Sequence, residues 1–308
     1  MKLVLGSRGS KLALAQTQWV ADRLCAARPE LECEIRVIRT KGDRVTDKPL
    51  DQIGDKGLFV GEIEAELLRG TVDIGVHSMK DMPTALPAGL CFARTWPRED
   101  ARDVLVLRAG LHGSSLDDLP AGACVATGSK RRAALLKSLR PDLRVAGIRG
   151  NIDTRLRKLD DPAEGLDALV LAAAGLHRLG LTERISAYLA PAGVVPACAQ
   201  GALALELRRD DTDLLALLNS LCSPGDDAAV AAERAFLAAA GGSCHLPVGA
   251  YAVPCPGGLR LTGLLGRADG PALALDALEG PADDPGRLGR SLALHLNALL
   301  AEQEADHD

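Results

Sequence analysis

Three short stretches carry side chains of the types that do chemistry. In AAAGGSCHLPVGAYA, residues 238–252, Cys244 stands on a glycine- and proline-rich turn between an alanine-rich helix and a strand-like run. A loop thiol facing cations has a lowered pKa and reacts readily with electrophiles. A buried cysteine is simply a small hydrophobe, and the neighbouring His245 makes no protease without a third partner or an oxyanion hole. In VHSMKDMP, residues 76–83, Asp81 directly follows Lys80 in a proline-closed loop. Such a carboxylate can move protons or offset a cationic intermediate; as part of an isolated Lys-Asp pair it would only cap the loop or pair with Lys80. In TGSKRR, residues 127–132, Ser129 reads as a helix N-cap, with Lys130, Arg131 and Arg132 in the first turn. Cations there oppose the helix dipole at about 0.3–1 kcal/mol each. A bound anion reverses that sign, and Arg149 and Arg155 in RGNIDTR, after the neighbouring strand, favour an anion site over side chains extended into water.

The elements that must position these residues follow from periodicity. Strand 2–6, a helix from 10 to about 28, strand 32–38, a helix with Phe59, Ile63 and Leu67 in register and a strand in VDIGVH alternate, which predicts a largely parallel, doubly covered sheet. A second series begins after TWPRED: strands 103–107, 123–126, 143–148 and 167–172, with helices 129–139 and 151–159. The Pro/Gly-rich run through PACAQGALALE leads to strand 202–208, which should return to the first sheet because a lone strand needs a neighbour. From about 222 the pattern changes. It predicts a helix capped by Asp226 or Asp227 and stopped by Gly241, strands near 247–253, 259–265 and 272–277, and a helix over 286–301. The expected domains are 1–97 with 198–216, 98–197, and a smaller α+β domain, 217–308, carrying Cys244. Ligands bind at the carboxyl ends of parallel strands. Arg8 and Ser10, RTKGD, HSMKDMP, TGSKRR and RGNIDTR each follow such an end, so two domains are expected to point basic loops at one cleft.

Composition narrows the class. At 308 residues, 47% hydrophobic and 25% charged, the chain has room for two or three cores. Residues 1–194 hold 29 Lys and Arg against 25 Asp and Glu, whereas 195–308 hold 7 against 16, so an anionic ligand belongs to the first two thirds. Eight cysteines without CxxC spacing predict reduced thiols and no metal. With 2% aromatic residues and a net charge of −5, stacking platforms for nucleic acid are scarce. No full Walker or GxGxxG signature supports nucleotide use. The N-terminal apolar run is too short for a signal-peptide core, no apolar run is long enough to span a membrane, and a cytoplasmic location is expected.

SRGSKLALAQT, DKGLFVGEIEAELL, DIGVHSMKDMP, ATGSKRRAALL, IRGNIDTRLRKLD, LAAAGLHRLGL, PACAQGALALE and GGSCHLPVGAYA together resemble the porphobilinogen deaminase (hydroxymethylbilane synthase) family, in family order from Ser7 to Ala252. The resemblance implies two doubly wound α/β domains like the lobes of periplasmic binding proteins, plus the smaller C-terminal domain. It implies a transferase that joins four porphobilinogens head to tail with loss of ammonia, forming hydroxymethylbilane for tetrapyrrole and haem biosynthesis. The primer is a dipyrromethane cofactor held by a thioether, and Cys244 matches that cysteine. Asp81 matches the catalytic aspartate. Lys80, Asp81, Thr127, Ser129, Arg131 and Arg132 match cofactor-holding positions; Arg8, Ser10, Arg149, Arg155 and Arg178 match positions around substrate or the growing chain. Lys56 and Phe59 match a loop over the cleft. Gly128, Lys130, Ser243, His245 and Asp153 depart from the commonest pattern. The expected partner is the small-molecule substrate porphobilinogen, with no nucleic acid or membrane, and the expected state is a monomer. A non-catalytic two-lobed anion-binding protein is the alternative, but it gives the cysteine loop no task.

Overall fold

The computed structural model describes residues 2–40, 60–241, 246–267 and 272–305. In chain order the first elements are β1 (Lys2–Ser7), α1 (Lys11–Ala27), β2 (Glu32–Val37), α2 (Gly61–Leu68), β3 (Ile74–Ser78) and β4 (Leu90–Phe92). A second series holds β5 (Asp103–Leu107), β6 (Cys124–Ala126), α3 (Lys130–Leu139), β7 (Arg144–Ala146), α4 (Ile152–Asp160), β8 (Ala168–Ala172), α5 (Ala173–Arg178) and β9 (Ala187–Leu189). Then come β10 (Leu203–Arg208), α6 (Thr212–Ser220), α7 (Pro224–Ala239), β11 (Val248–Cys255), β12 (Gly258–Gly266), β13 (Leu273–Gly280) and α8 (Pro285–Ala305). The chain divides into two compact units, Met1–Arg98 with Ala202–Asp227, and Glu99–Gly201 with Ala228–Asp308.

The first unit is built on a five-stranded sheet, β2-β1-β3-β10-β4. Strands β1, β2 and β3 run parallel, and β10 joins this sheet antiparallel to both β3 and β4. The expected largely parallel sheet is therefore mixed. Strand β10 enters at the carboxyl edge, with Leu203 opposite Ser78, and has no helical crossover to reverse its direction. Both faces are covered, which is why these strands read as continuous apolar runs. Val20 and Leu24 of α1 and Leu214 and Leu218 of α6 pack against Leu3, Ile74, Val76 and Leu205. Ile63 and Leu67 of α2 cover the other face.

The second unit repeats the plan in the order β7-β6-β8-β5-β9. Strand β6 pairs parallel with β7 and β8, and β5 pairs antiparallel with β8 and β9. Leu135 and Leu136 of α3 lie in one core, and Leu156 of α4 with Leu176 of α5 in the other. The C-terminal part adds an antiparallel β11-β12-β13 sheet whose core includes Phe236 of α7 and Leu292 and Leu296 of α8. Helix α7 starts at Pro224, earlier than its expected caps. Asp226 and Asp227 sit in its first turn and accept the backbone N–H groups of Arg98 and Thr95 at 3.1 and 2.7 Å. Gly241 follows its end in the left-handed region, φ +94°.

Candidate active site

In the first unit, the parallel strands β1 and β3 deliver their loops to the same sheet edge. Ser10 caps α1, accepting the Ala13 N–H at 3.2 Å, and Arg8 lies half-buried just before it. At the end of β3 the chain makes a single 3₁₀ turn, Met79–Asp81. Met79 and Met82 are buried, and Met79 N–H donates to the Ala202 carbonyl at 3.0 Å. The buried Gln16 amide donates to the Ser78 hydroxyl at 2.9 Å. Thus two methionine anchors and two hydrogen bonds fix a turn on which Asp81 is exposed and Lys80 half-buried. The Asp81 side chain so placed faces solvent while its backbone is held.

The second unit treats its arginines differently. Ser129 caps α3, accepting the Arg132 N–H at 3.4 Å, and the buried Thr127 hydroxyl accepts the Ser129 N–H at 3.2 Å. Arg131 and Arg132 turn inward and are only 4% and 7% exposed. Between them lies Asp103, at the start of β5, fully buried. It accepts from Arg131 Nη2 at 2.8 Å, Arg132 Nη2 at 2.7 Å and Gln200 Nε2 at 2.8 Å. The Val195 carbonyl accepts from Arg131 and the Val170 carbonyl from Arg132. Burial pushes the Asp103 carboxyl up, but the two guanidinium charges overcome it and hold the group below the usual carboxylate range. Burial likewise pushes Arg131 down, against the pull of Asp103; a guanidinium remains charged regardless.

Sequence reasoning missed Asp103 and Gln200. The only local signal was an acidic residue opening the apolar run DVLVL, where a buried charge demands a partner. The arginine pair is thus a built layer, two cations around one anion. Its remaining positive charge, and the buried Arg132 Nε that has no hydrogen-bond partner, leave the layer with capacity for a further anion. The chain after Cys244 also meets this layer. A Cβ on Gly249 of β11 would lie 2.6 Å from the Pro196 carbonyl and 2.8 Å from Arg131 Cδ, so only glycine lets that strand approach.

The remaining candidates divide. Arg149 is exposed after β7; Asn151 caps α4, accepting the Thr154 N–H at 2.9 Å, and Arg155 Nε donates to the Gly150 carbonyl at 2.8 Å. Arg178, at the end of α5, donates to the Gly201 carbonyl at 2.6 Å. Burial pushes its guanidinium down to about 10, partly offset by the Glu99 charge. Cys244, Lys56 and Phe59 lie outside the described residues. The seven described cysteines are all free, and among the described residues no cluster could hold a metal and no helix is long and apolar enough to cross a membrane.

Residues 3–216 match the porphobilinogen deaminase dipyromethane cofactor binding domain, and residues 228–298 the porphobilinogen deaminase C-terminal domain. The porphobilinogen deaminase of Clostridioides difficile (strain 630) is 48% identical over 293 residues, which cover 95% of this chain and 96% of that protein. That of Lachnospira eligens is 52% identical over 266 residues, 86% of this chain and 89% of that protein. Among solved structures, the Bordetella pertussis BvgS periplasmic VFT2 domain superposes with a TM-score of 0.41 at 20% identity, over 72% of this chain and 86% of that one; the architecture rests on the strand orders above. Two matched domains spanning most of the sequence, and relatives near half identity over nearly its whole length, settle the family: this chain is a member of the porphobilinogen deaminases.

Proposed function

We propose a division of labour among the residues of this porphobilinogen deaminase, in which Asp81 serves the chemistry, the Arg131–Asp103–Arg132 layer holds the cofactor and Cys244 anchors it. The overall reaction joins four porphobilinogens, releasing four ammonia molecules and taking up one water for the terminal hydroxyl, to give hydroxymethylbilane. When bound, the dipyrromethane supplies the pyrrole carbon to which the first substrate is joined. Cleavage of the substrate's aminomethyl C–N bond sends the electron pair out with the amine and leaves an azafulvenium-like cation. Asp81 offsets that charge and accepts hydrogen bonds from pyrrole N–H groups. Each pyrrole brings acetate and propionate groups, so guanidinium forks suit both the held cofactor and the growing chain. Ser129, Thr127 and Lys80 complete the cofactor side; Arg8, Ser10, Arg149, Arg155 and Arg178 receive substrate, and Lys56 and Phe59 belong to the covering loop. The protein works as a cytoplasmic monomer.

The observation that carries this reading is the exposed Asp81 on a turn whose neighbours Met79 and Met82 are buried. Attachment is tested by mass. The wild-type protein should exceed its sequence mass by one dipyrromethane that survives denaturation and maps to residues 238–252, and Cys244→Ala should lack both the added mass and the activity. Cys198→Ala and Cys255→Ala should keep both. Cys244→Ser should load slowly or not at all, since a hydroxyl is the poorer nucleophile. An unmodified wild-type protein that is fully active without a lag refutes the anchor.

A further inference from the structure

His177 stands immediately before Arg178 at the end of α5, and the proposed roles leave it without a task. Its imidazole is held at both nitrogens. Nδ1 lies 3.0 Å from Glu99 Oε1, and Nε2 lies 2.9 Å from the Tyr188 hydroxyl. A carboxylate only accepts, so Nδ1–H donates to Glu99, and in the neutral ring Nε2 accepts from Tyr188. Tyr188, on the edge strand β9, is fixed in turn by Arg102, whose guanidinium lies 4.1 Å from the ring centroid and chelates Asp100 at 2.6–3.0 Å.

The other end of this chain reaches Arg178. Glu99 N–H and Arg178 Nη2 donate to one carbonyl, that of Gly201, at 3.3 and 2.6 Å. Gly201 adopts φ +89°, and a Cβ there would lie 2.2 Å from the Glu99 carbonyl. The Glu99 backbone is therefore locked beside the arginine. Burial raises the Glu99 carboxyl, but the Asp100 N–H, the hydrogen bond from His177 and the charge of Arg178 bring it below its ordinary value. The Glu99 carboxylate is thus held by His177, while the Glu99 backbone shares the Gly201 carbonyl with Arg178.

We infer that His177 is a positioning residue for Arg178: the Tyr188–His177–Glu99 chain draws the Glu99 carboxylate away from the guanidinium and keeps Arg178 available to a carboxylate of the substrate. This rests on the assignment of Arg178 to substrate. Without His177, Glu99 competes with substrate for Arg178. The effect falls on binding, because the contact to a peripheral carboxylate is made in ground and transition states alike. The imidazole faces Glu99 and Asp100 from the segment before β5, with Arg102 paired to Asp100, and Tyr188 from β9. Arg178 adjoins it on its own helix. The turn Thr182–Arg184 brings Glu183 and Arg184, the latter bound to Asp160 at 2.7 Å.

The test is steady-state kinetics on cofactor-loaded protein, with loading checked by intact mass and folding by thermal melts. His177→Ala should raise KM for porphobilinogen about three- to tenfold, the net worth of one ordinary hydrogen bond, with kcat within about twofold. Tyr188→Phe should raise it less and in the same direction. Adding Glu99→Gln to His177→Ala should restore KM, because the competitor has lost its charge; a merely structural role for His177 predicts no such rescue. Arg178→Lys separates the two layers of the argument. If it leaves KM unchanged, the assignment of Arg178 to substrate fails, and this inference with it. If it raises KM while His177→Ala does not, or while the double variant stays as weak as the single, the inference alone is overturned.

Discussion

The carboxyl-terminal strand edges of the two α/β sheets carry charged groups in opposite states. In the first unit Asp81 projects from a one-turn helix into solvent; its turn is anchored by neighbours while its own carboxylate stays out of the core. In the second, Arg131, Arg132 and Asp103 are buried and joined by hydrogen bonds that fix the guanidinium orientations, with Arg132 Nε left unpartnered. The difference matches the roles proposed for each group. A carboxylate that answers a transient cation must meet successive substrates, whereas groups that grip one permanently held, carboxylate-bearing cofactor gain from being preorganised. A bare buried arginine pair would be intolerable, and Asp103 makes it stable at the expense of one unit of charge.

This contrast is broken most sharply at Asp103. Asp103→Asn removes the anion from between two buried guanidinium groups, and a loss of about 3–5 kcal/mol of stability is expected, measured by denaturant titration, together with failure to take up cofactor. Wild-type stability and loading in that variant would mean the layer is not organised around charge. The same group sets an acid limit. Its folded pKa is depressed, so its contribution is present above the unfolded carboxyl value of about 4 and is lost as pH falls further toward the folded value. Acid titration of the variant should lack that component.

Asp81→Asn should show the converse. Turnover should fall about 10²–10³-fold, the loss expected for one electrostatic contact to a developing charge, and Asp81→Glu should retain more. A graded outcome is expected for the arginines. Arg131→Leu or Arg132→Leu should leave apo-protein, whereas Arg149→Leu or Arg155→Leu should load normally and stall elongation, visible as trapped intermediates by native electrophoresis and mass. Equal effects at all four would merge the two sites into one. The smallest effect concerns Glu64 on α2, whose carboxyl is pushed up to about 6 by burial and by Glu206, itself 3.2 Å from His77. A raised carboxyl stabilises most below its unfolded value and loses that contribution as pH rises through about 6. Glu64→Gln should therefore flatten the profile of unfolding free energy between pH 4.5 and 7.5, measured by denaturant titration, by up to about 1 kcal/mol after solvent screening.

Much of this was legible along the chain because period and caps are local. The helix begun by Ser129 and the strand 203–208 returning to the first sheet need only their own residues to be recognised. Strands β4 and β9, three residues each, are too short to show a period, and the antiparallel entry of β10 depends on which edge the chain arrives at. The Arg131–Asp103 pairing joins residues 28 positions apart through tertiary folding. The cations in TGSKRR suggested an anion site along the chain, but the anion the structure places between Arg131 and Arg132 is the internal carboxylate of Asp103, which no local pattern names.

Intact mass and turnover measured on the same preparation of Asp81→Asn test the division between chemistry and holding most directly. The protein should carry the full dipyrromethane mass and melt with the wild type while forming almost no hydroxymethylbilane. A variant that arrives without the cofactor, or that turns over at near the wild-type rate with it, would contradict the separation of roles.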